Sequence, residues 1–182
     1  MNQIRHLVNS PNVNFETVGY IRKKNMSIVQ TGVSKTNTRN GRKYINFPNH
    51  KKHIQWHTHP QTDGFWPSFE DLNKGYNDQG ILHVLFTRFG TWLFRGFGKI
   101  PDTFHHDLLY HNWDWLNLVL TNRTSQTGWT DTEAMTYIHQ FVSTANRIGF
   151  HIEFLHNFKS TDINKYTQLV KNRIAQLSPL QE

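Results

Sequence analysis

The sequence predicts a single α/β domain, and three observations support this class. Short apolar segments bounded by turn residues dominate the first half of the chain, whereas apolar residues recur at helical spacing towards the C-terminus. At 182 residues the chain is long enough to bury a substantial core. Thirteen Phe and six Trp residues indicate that this core is rich in aromatic side chains.

Seven segments have the composition and bounding turns of β-strands. They are Val18–Arg22, Ser27–Val33, Lys43–Phe47, His53–His57, Ile81–Phe86, Thr91–Arg95 and His151–Phe158. The first two and the fifth and sixth are expected to form hairpins, and the charged Arg39–Lys43 segment with its Asn-Gly pair is typical of a hairpin turn.

Three helices are expected from apolar periodicity and capping residues. The first covers Phe69–Tyr76 after Ser68, the second starts at the capping box Thr130-Asp131-Thr132-Glu133 and ends at Gly149, and the third covers Asp162–Leu177. Two apolar stripes are therefore expected in the core: Ala134, Ile138, Phe141, Val142, Ala145 and Ile148, and then Ile163, Tyr166, Val170, Ile174 and Leu177.

The segment with most chemical information contains two histidines, a serine and an aspartate. His57 and His59 end a predicted strand, and because side chains alternate along a strand, both point to one face while Thr58 points to the other. Ser68 and Asp71 follow after a turn-rich segment. Two imidazoles and one carboxylate are the three protein ligands that a catalytic zinc site needs, with the fourth position left for water.

Each half of this motif also has a structural explanation. Paired histidines on a strand are commonly packing or surface residues, and Ser68-x-x-Asp71 fits the capping box that opens a helix. Capping and catalysis are compatible, since a helix N-terminus would hold both side chains beside the strand. Other zinc folds fit less well, because the sequence has no His-Glu-x-x-His, is shorter than the roughly 250 residues of an amidohydrolase barrel, and is too helical for a cupin-like jelly roll.

The motif resembles that of the JAMM/MPN+ (JAB-domain) zinc metalloproteases. The matching segments are Glu16-Thr17-Val18-Gly19, His57-Thr58-His59-Pro60 and Pro67-Ser68-Phe69-Glu70-Asp71. Glu16 is the only acidic residue before His57, so no other upstream carboxylate can match the family's glutamate. The resemblance covers residues 15–100, and it departs from the family in two ways: eight residues rather than seven separate His59 from Ser68, and Tyr20 replaces a small residue.

The resemblance implies an MPN-like domain over residues 1–182, with a mixed sheet flanked by helices and one Zn²⁺ between a strand end and a short helix. It implies that His57, His59 and Asp71 hold the zinc, which lowers the pKa of a bound water to about 7. Glu16 would then act as general base and acid, and Ser68 would donate a hydrogen bond to the oxyanion.

The resemblance also implies hydrolysis of an amide bond, most often an isopeptide bond to a ubiquitin-like protein, and hence a protein substrate. The alternative is a non-catalytic MPN-like structural module within a larger assembly, such as a viral or phage particle. The intact set of five motif residues favours the enzyme, because loss of function would be expected to alter at least one of them.

Positive charge is concentrated in the first third of the chain. Residues 1–56 contain ten Lys or Arg residues and one acid, whereas the remainder contains ten Lys or Arg residues and twelve acids. Such a region can attract nucleic acid or an acidic protein surface. A solvated basic face is the simpler interpretation, because neither a stacking motif nor a Gly-rich phosphate loop accompanies the charge.

The remaining expectations concern the compartment and the other histidines. The chain has no cysteine, which excludes disulfides and thiolate metal sites. It has neither a signal-peptide core nor an apolar run of roughly 20 residues, so a soluble protein in the cytoplasm or in a virion is expected. His83 is expected to pack or to face solvent, and His105, His106 and His111 give only a weak signal for a second metal site.

Overall fold

The computed structural model describes residues 3–9, 15–35, 54–60, 64–78, 80–96, 128–147, 150–157 and 161–178. These residues form four helices and six strands. The helices are α1 (Gln3–Asn9), α2 (Phe69–Asn77), α3 (Asp131–Arg147) and α4 (Ile163–Leu177). The strands are β1 (Phe15–Arg22), β2 (Ser27–Lys35), β3 (Ile54–Thr58), β4 (His83–Thr87), β5 (Gly90–Gly96) and β6 (Phe150–His156).

The six strands form one mixed sheet in the order β2-β1-β3-β4-β5-β6. Neighbouring strands are antiparallel except β3 and β4, which are parallel. A parallel pair cannot be joined by a tight turn, and here α2 lies in the crossover between the two strands. The predicted class, an α/β fold with a mixed sheet flanked by helices, is therefore confirmed.

Helices cover the two faces of the sheet and create two apolar cores. The first face packs against α2 and α3, and its core includes Phe65, Leu72, Leu85, Trp92 and Phe141. The opposite face packs against α1 and α4, and its core includes Ile4, Trp56, Phe86, Val170 and Ile174. Each buried Leu, Ile or Phe contributes about 1.5–3 kcal/mol, so both faces of the sheet are firmly held.

Most predicted elements are confirmed, and two elements differ from the prediction. Strand β1 begins at Phe15 rather than Val18, because its pairing with β2 continues to Lys35; Glu16 therefore belongs to the sheet. Helix α1 was not predicted, since its seven residues give too short a periodic pattern. The predicted strand Lys43–Phe47 and residues His105, His106 and His111 lie outside the described residues.

Gly19 lies where β1 is crowded from both sides. The β1–β2 register shifts between Val18 and Gly19, which is a β-bulge. A Cβ atom at Gly19 would clash with the Val29 carbonyl oxygen and would lie 2.8 Å from Nε1 of Trp56. The glycine three residues after Glu16 is therefore required by packing.

No helix among the described residues is long and apolar enough to cross a membrane.

Candidate metal centre

His57, in strand β3, and His59, directly after its end, lie on the face of the sheet that α2 covers. Both histidines are buried, His57 being 1% and His59 7% exposed. Thr58 points to the opposite face, where its Oγ1 accepts a hydrogen bond of 3.0 Å from the backbone N–H of Thr17. The alternation predicted for these three residues is confirmed.

The loop after β3 fixes the ring of His59. Its Nδ1 lies 2.9 Å from the backbone oxygen of Gly64. A carbonyl oxygen can only accept, so Nδ1 carries a proton, and in the neutral ring the lone pair is on Nε2. Metal-binding histidines are commonly oriented by this kind of contact to a backbone carbonyl.

Aromatic side chains anchor the same loop to the core. Phe65 is fully buried, and its backbone oxygen accepts a hydrogen bond of 2.6 Å from Nε1 of Trp92. The Phe65 ring makes edge-on contacts with Trp66 and Trp129, at centroid distances of 5.0 and 5.1 Å. These contacts hold the backbone that directly follows Gly64 against the core.

A capping box at the start of α2 positions Asp71. The backbone N–H of Ser68 donates to Oδ2 of Asp71 at 2.7 Å, and the backbone N–H of Asp71 donates to Oγ of Ser68 at 3.1 Å. The reciprocal pair satisfies two backbone N–H groups of the helix start. The structural explanation of Ser68-x-x-Asp71 is therefore correct, and the same carboxylate also faces the two histidines.

The carboxylate of Asp71 lies between the two imidazoles. Its Oδ1 is 3.2 Å from Nε2 of His57, and its Oδ2 is 3.3 Å from Nε2 of His59. With metal–ligand bonds of about 2.0–2.1 Å, neighbouring ligands of a tetrahedral zinc lie roughly 3.3 Å apart. The donor atoms of all three residues fall within 4.8 Å of one another, so the group could hold a metal ion.

The electrostatics of the group centre on Asp71. Burial disfavours its charged form, but the charge of His57 and hydrogen bonds to both histidines outweigh burial and hold the pKa of Asp71 well below its usual range. Burial likewise lowers the pKa of His59, but the hydrogen bond and charge of Asp71 raise it to about 9. A buried carboxylate needs a positive partner, which either a protonated imidazole or a metal ion can provide.

Glu16 lies on the strand next to His59 and faces it on the same side of the sheet. Val18 of β1 pairs with His57 of β3, and continuing this antiparallel register by two residues places Glu16 opposite His59. Residues directly opposite in an antiparallel pair project to the same face. The side chain of Glu16 is half-buried, and its charge is one of the causes that raise the pKa of His59. The structure therefore brings Glu16, His57, His59, Ser68 and Asp71 to one end of the sheet.

A second charged group on the same face was not predicted from the sequence. Oδ2 of Asp78 lies 3.3 Å from Nε2 of His83 and 3.0 Å from Nζ of Lys74. His83 was expected to pack or to face solvent, and of these two placements the structure has the first, because His83 is 2% exposed and stacks on Phe94. The signal in the sequence is the seven-residue interval between Asp71 and Asp78, which places both carboxylates on one side of a helix.

Comparison with protein-family models, with curated proteins and with solved structures gives no match for this chain.

Proposed function

We propose that this chain is a zinc-dependent metallopeptidase of the JAMM/MPN+ type, formed by a single MPN-like domain, that hydrolyses an amide or isopeptide bond in a protein substrate. The observation that carries the proposal is the placement of the Asp71 carboxylate 3.2 and 3.3 Å from Nε2 of His57 and His59. Glu16, on the neighbouring strand, supplies a second carboxylate on the same face.

The residues fit zinc by their chemistry as well as by their spacing. Nε2 of His57, Nε2 of His59 and the carboxylate of Asp71 would hold the ion, and nitrogen and oxygen ligands are those that zinc accepts. The contact of His59 Nδ1 with the Gly64 oxygen leaves Nε2 as the donor atom of the neutral ring. When bound, Zn²⁺ supplies a water of lowered pKa and polarises the carbonyl of the scissile bond.

Glu16 is the proposed proton carrier. Its carboxylate accepts the proton of the attacking water and passes it to the leaving nitrogen, which would otherwise depart as an unstable anion. The other described carboxylate near the histidines, that of Asp71, already accepts a hydrogen bond from Ser68 and faces both imidazoles. The position of Asp71 between the imidazoles supports its role as ligand and leaves the base to Glu16 in this proposal.

Ser68 is the proposed hydrogen-bond donor to the developing oxyanion. Its Oγ accepts the backbone N–H of Asp71, so the hydroxyl proton is not used in that bond. A preorganised donor of this kind is most effective when the helix cap has already fixed its position. The capping box thus supports the catalytic role instead of competing with it.

A non-catalytic structural module in a larger assembly is the second candidate. The capping box favours it, because helix capping alone is a sufficient reason for Ser68 and Asp71. It does not account for the two buried histidines that face the carboxylate, since apolar side chains would fill the same space without a desolvation cost.

The deciding experiment combines metal analysis with an amide-cleavage assay on one preparation. Protein purified without chelators should contain one zinc per chain and should cleave members of a panel of ubiquitin-like fusions and peptide amides. Zinc without cleavage across that panel favours the structural module, and protein that binds no added zinc contradicts both the metal site and the enzyme.

A further inference from the structure

Helix α2 is attached to the sheet by a carboxylate at each end. Asp71, in the first turn, faces His57 and His59, and Asp78, directly after the last turn, lies with Oδ2 3.3 Å from Nε2 of His83. Seven residues of α-helix rise about 10 Å and complete nearly two turns. Both carboxylates therefore leave the same side of the helix and meet the same face of the sheet.

His83 is a buried anchor on that face. The parallel register pairs Gln55 with His83 and His57 with Leu85, so His83 projects to the same face as His57. Its ring stacks on Phe94 with a centroid distance of 5.4 Å and an interplanar angle of 18°. The stack fixes the ring plane, and thus the direction in which Nε2 meets Asp78.

Two features hold the C-terminal end of α2 close to His83. Lys74 contacts Oδ2 of Asp78 at 3.0 Å, and its backbone oxygen accepts the N–H of Asp78 at 2.9 Å. Gly75 is buried, and a Cβ there would lie 3.3 Å from two ring carbons of Phe94, so glycine permits a close approach. Because the ammonium group of Lys74 neutralises the Asp78 carboxylate, Asp78 and His83 attach the helix to the sheet and do not form a second metal site.

We propose that Asp78 and His83 are positioning residues of the metal centre, which fix the direction of the Asp71 carboxylate by clamping the far end of α2. The inference rests on the proposed function only in taking the centre to bind zinc. An isolated nine-residue helix is not stable in water, so its orientation comes from its contacts. Without the Asp78–His83 contact the cap and the buried Leu72 would still hold the first turn of α2, but its last turn could shift, and ligand sites tolerate only about 0.5 Å of displacement.

The test measures zinc affinity by competition with a chromogenic chelator in three variants. Asp78→Asn removes the charge, and His83→Phe keeps the stack on Phe94 but removes Nε2. Tyr166→Phe is the matched control, because the Tyr166 hydroxyl ties α4 to the opposite face through contacts of 2.9 Å with Thr91 Oγ1 and 2.7 Å with the Leu155 oxygen. The clamp predicts zinc affinity reduced roughly 10- to 100-fold in the first two variants and unchanged in the control.

The inference would be overturned if both Asp78→Asn and His83→Phe bound zinc within twofold of wild type, or if Tyr166→Phe lost as much affinity as they do.

A second measurement does not need zinc. Long-range ¹⁵N–¹H spectra report on the imidazoles of His57 and His59 in metal-free protein. Asp78→Asn should shift these signals and Tyr166→Phe should not, and unchanged signals in Asp78→Asn overturn the clamp. If wild type binds no zinc, the proposed function fails while these spectra still decide the clamp.

Discussion

Ser68 and Asp71 exchange hydrogen bonds, 2.7 Å from the Ser68 N–H to Oδ2 of Asp71 and 3.1 Å from the Asp71 N–H to Oγ of Ser68. The carboxylate that completes the helix cap is therefore the same one that faces His57 and His59. One side chain has two roles, and a substitution at either residue has consequences for stability as well as for any bound metal.

The first prediction concerns metal content. Wild type should bind one Zn²⁺ per chain, and His57→Ala and Asp71→Ala should lose it, because three ligands are the minimum for a tight site. Zinc at 100 times its Kd should stabilise the wild type by about 2.7 kcal/mol. Elemental analysis and thermal melting measure these outcomes.

Two variants control for non-specific loss. His139 is exposed on α3, so His139→Ala should keep its zinc. Asp71→Asn keeps an oxygen acceptor for the helix cap but lacks the charge, so it should lose zinc with a smaller loss of stability than Asp71→Ala. Full zinc occupancy in His57→Ala would remove this histidine from the site.

The second prediction concerns Ser68→Ala. It should lower stability by about 1 kcal/mol through loss of the cap, and lower kcat by about 10²–10³ through loss of an oxyanion donor. Metal content should change little, because the hydroxyl is not a ligand. Urea unfolding, kinetics and elemental analysis on the same preparation separate the three effects.

Helix α3 provides the matched control for Ser68. Its capping box has the same chemistry, with the Glu133 N–H donating to Thr130 Oγ1 at 3.2 Å and the Thr130 N–H donating to Glu133 Oε2 at 2.9 Å. Thr130→Ala should cost a similar free energy of unfolding without a change in kcat. If Ser68→Ala behaves as Thr130→Ala does, the serine is a cap only.

Local signals in the sequence were sufficient for much of the fold and for the candidate ligands. The caps at Ser68, Thr130 and Asp162 depend on side chains that bond to backbone within three residues. The common face of His57 and His59 follows from strand alternation alone. Such features need no knowledge of which elements are neighbours.

Features that depend on tertiary pairing were not predictable. His83 reaches Asp78 only because β4 pairs with β3 in parallel and α2 crosses both, and no local pattern specifies that register. Helix α1 is stabilised by burial of Ile4 and Val8 in the second core, which propensity over seven residues does not indicate.

The third prediction concerns pH and the clamp between α2 and β4. Burial lowers the pKa of His83, and the hydrogen bond and charge of Asp78 only partly oppose this shift. Burial raises the pKa of Asp78, but hydrogen bonds to His83 and Lys74 outweigh burial and bring this pKa below its usual value. Both folded-state pKa values are below the unfolded ones, so the contribution of His83 is lost as pH falls below 6.5, and that of Asp78 only as pH falls below 3.8. Because the raised pKa of His59 has the opposite effect and lowers stability as pH rises above 6.5, metal-free protein should show its highest resistance to urea near pH 6.5.

His83→Phe isolates the contribution of the imidazole. The other charged groups whose fields shift the pKa of His83 are Asp78 and Lys74 on the α2 side and His57 on β3. Removing the imidazole should flatten the decrease in stability on the acid side of pH 6.5, since the unfolded chain then takes up one proton fewer. A pH profile parallel to that of wild type would contradict the lowered pKa of His83.

The last prediction separates an enzyme from a structural module. Glu16→Gln keeps the size of the side chain, but its amide cannot take a proton from water. For a metallopeptidase, this variant should retain its zinc and its Tm while kcat falls by about 10² or more. Glu70→Gln is the control, because Glu70 is an exposed acid in the first turn of α2, beside Asp71. Wild-type hydrolysis by zinc-loaded Glu16→Gln would exclude Glu16 from the mechanism, whereas a loss of zinc would show instead that its carboxylate stabilises the metal-binding histidines.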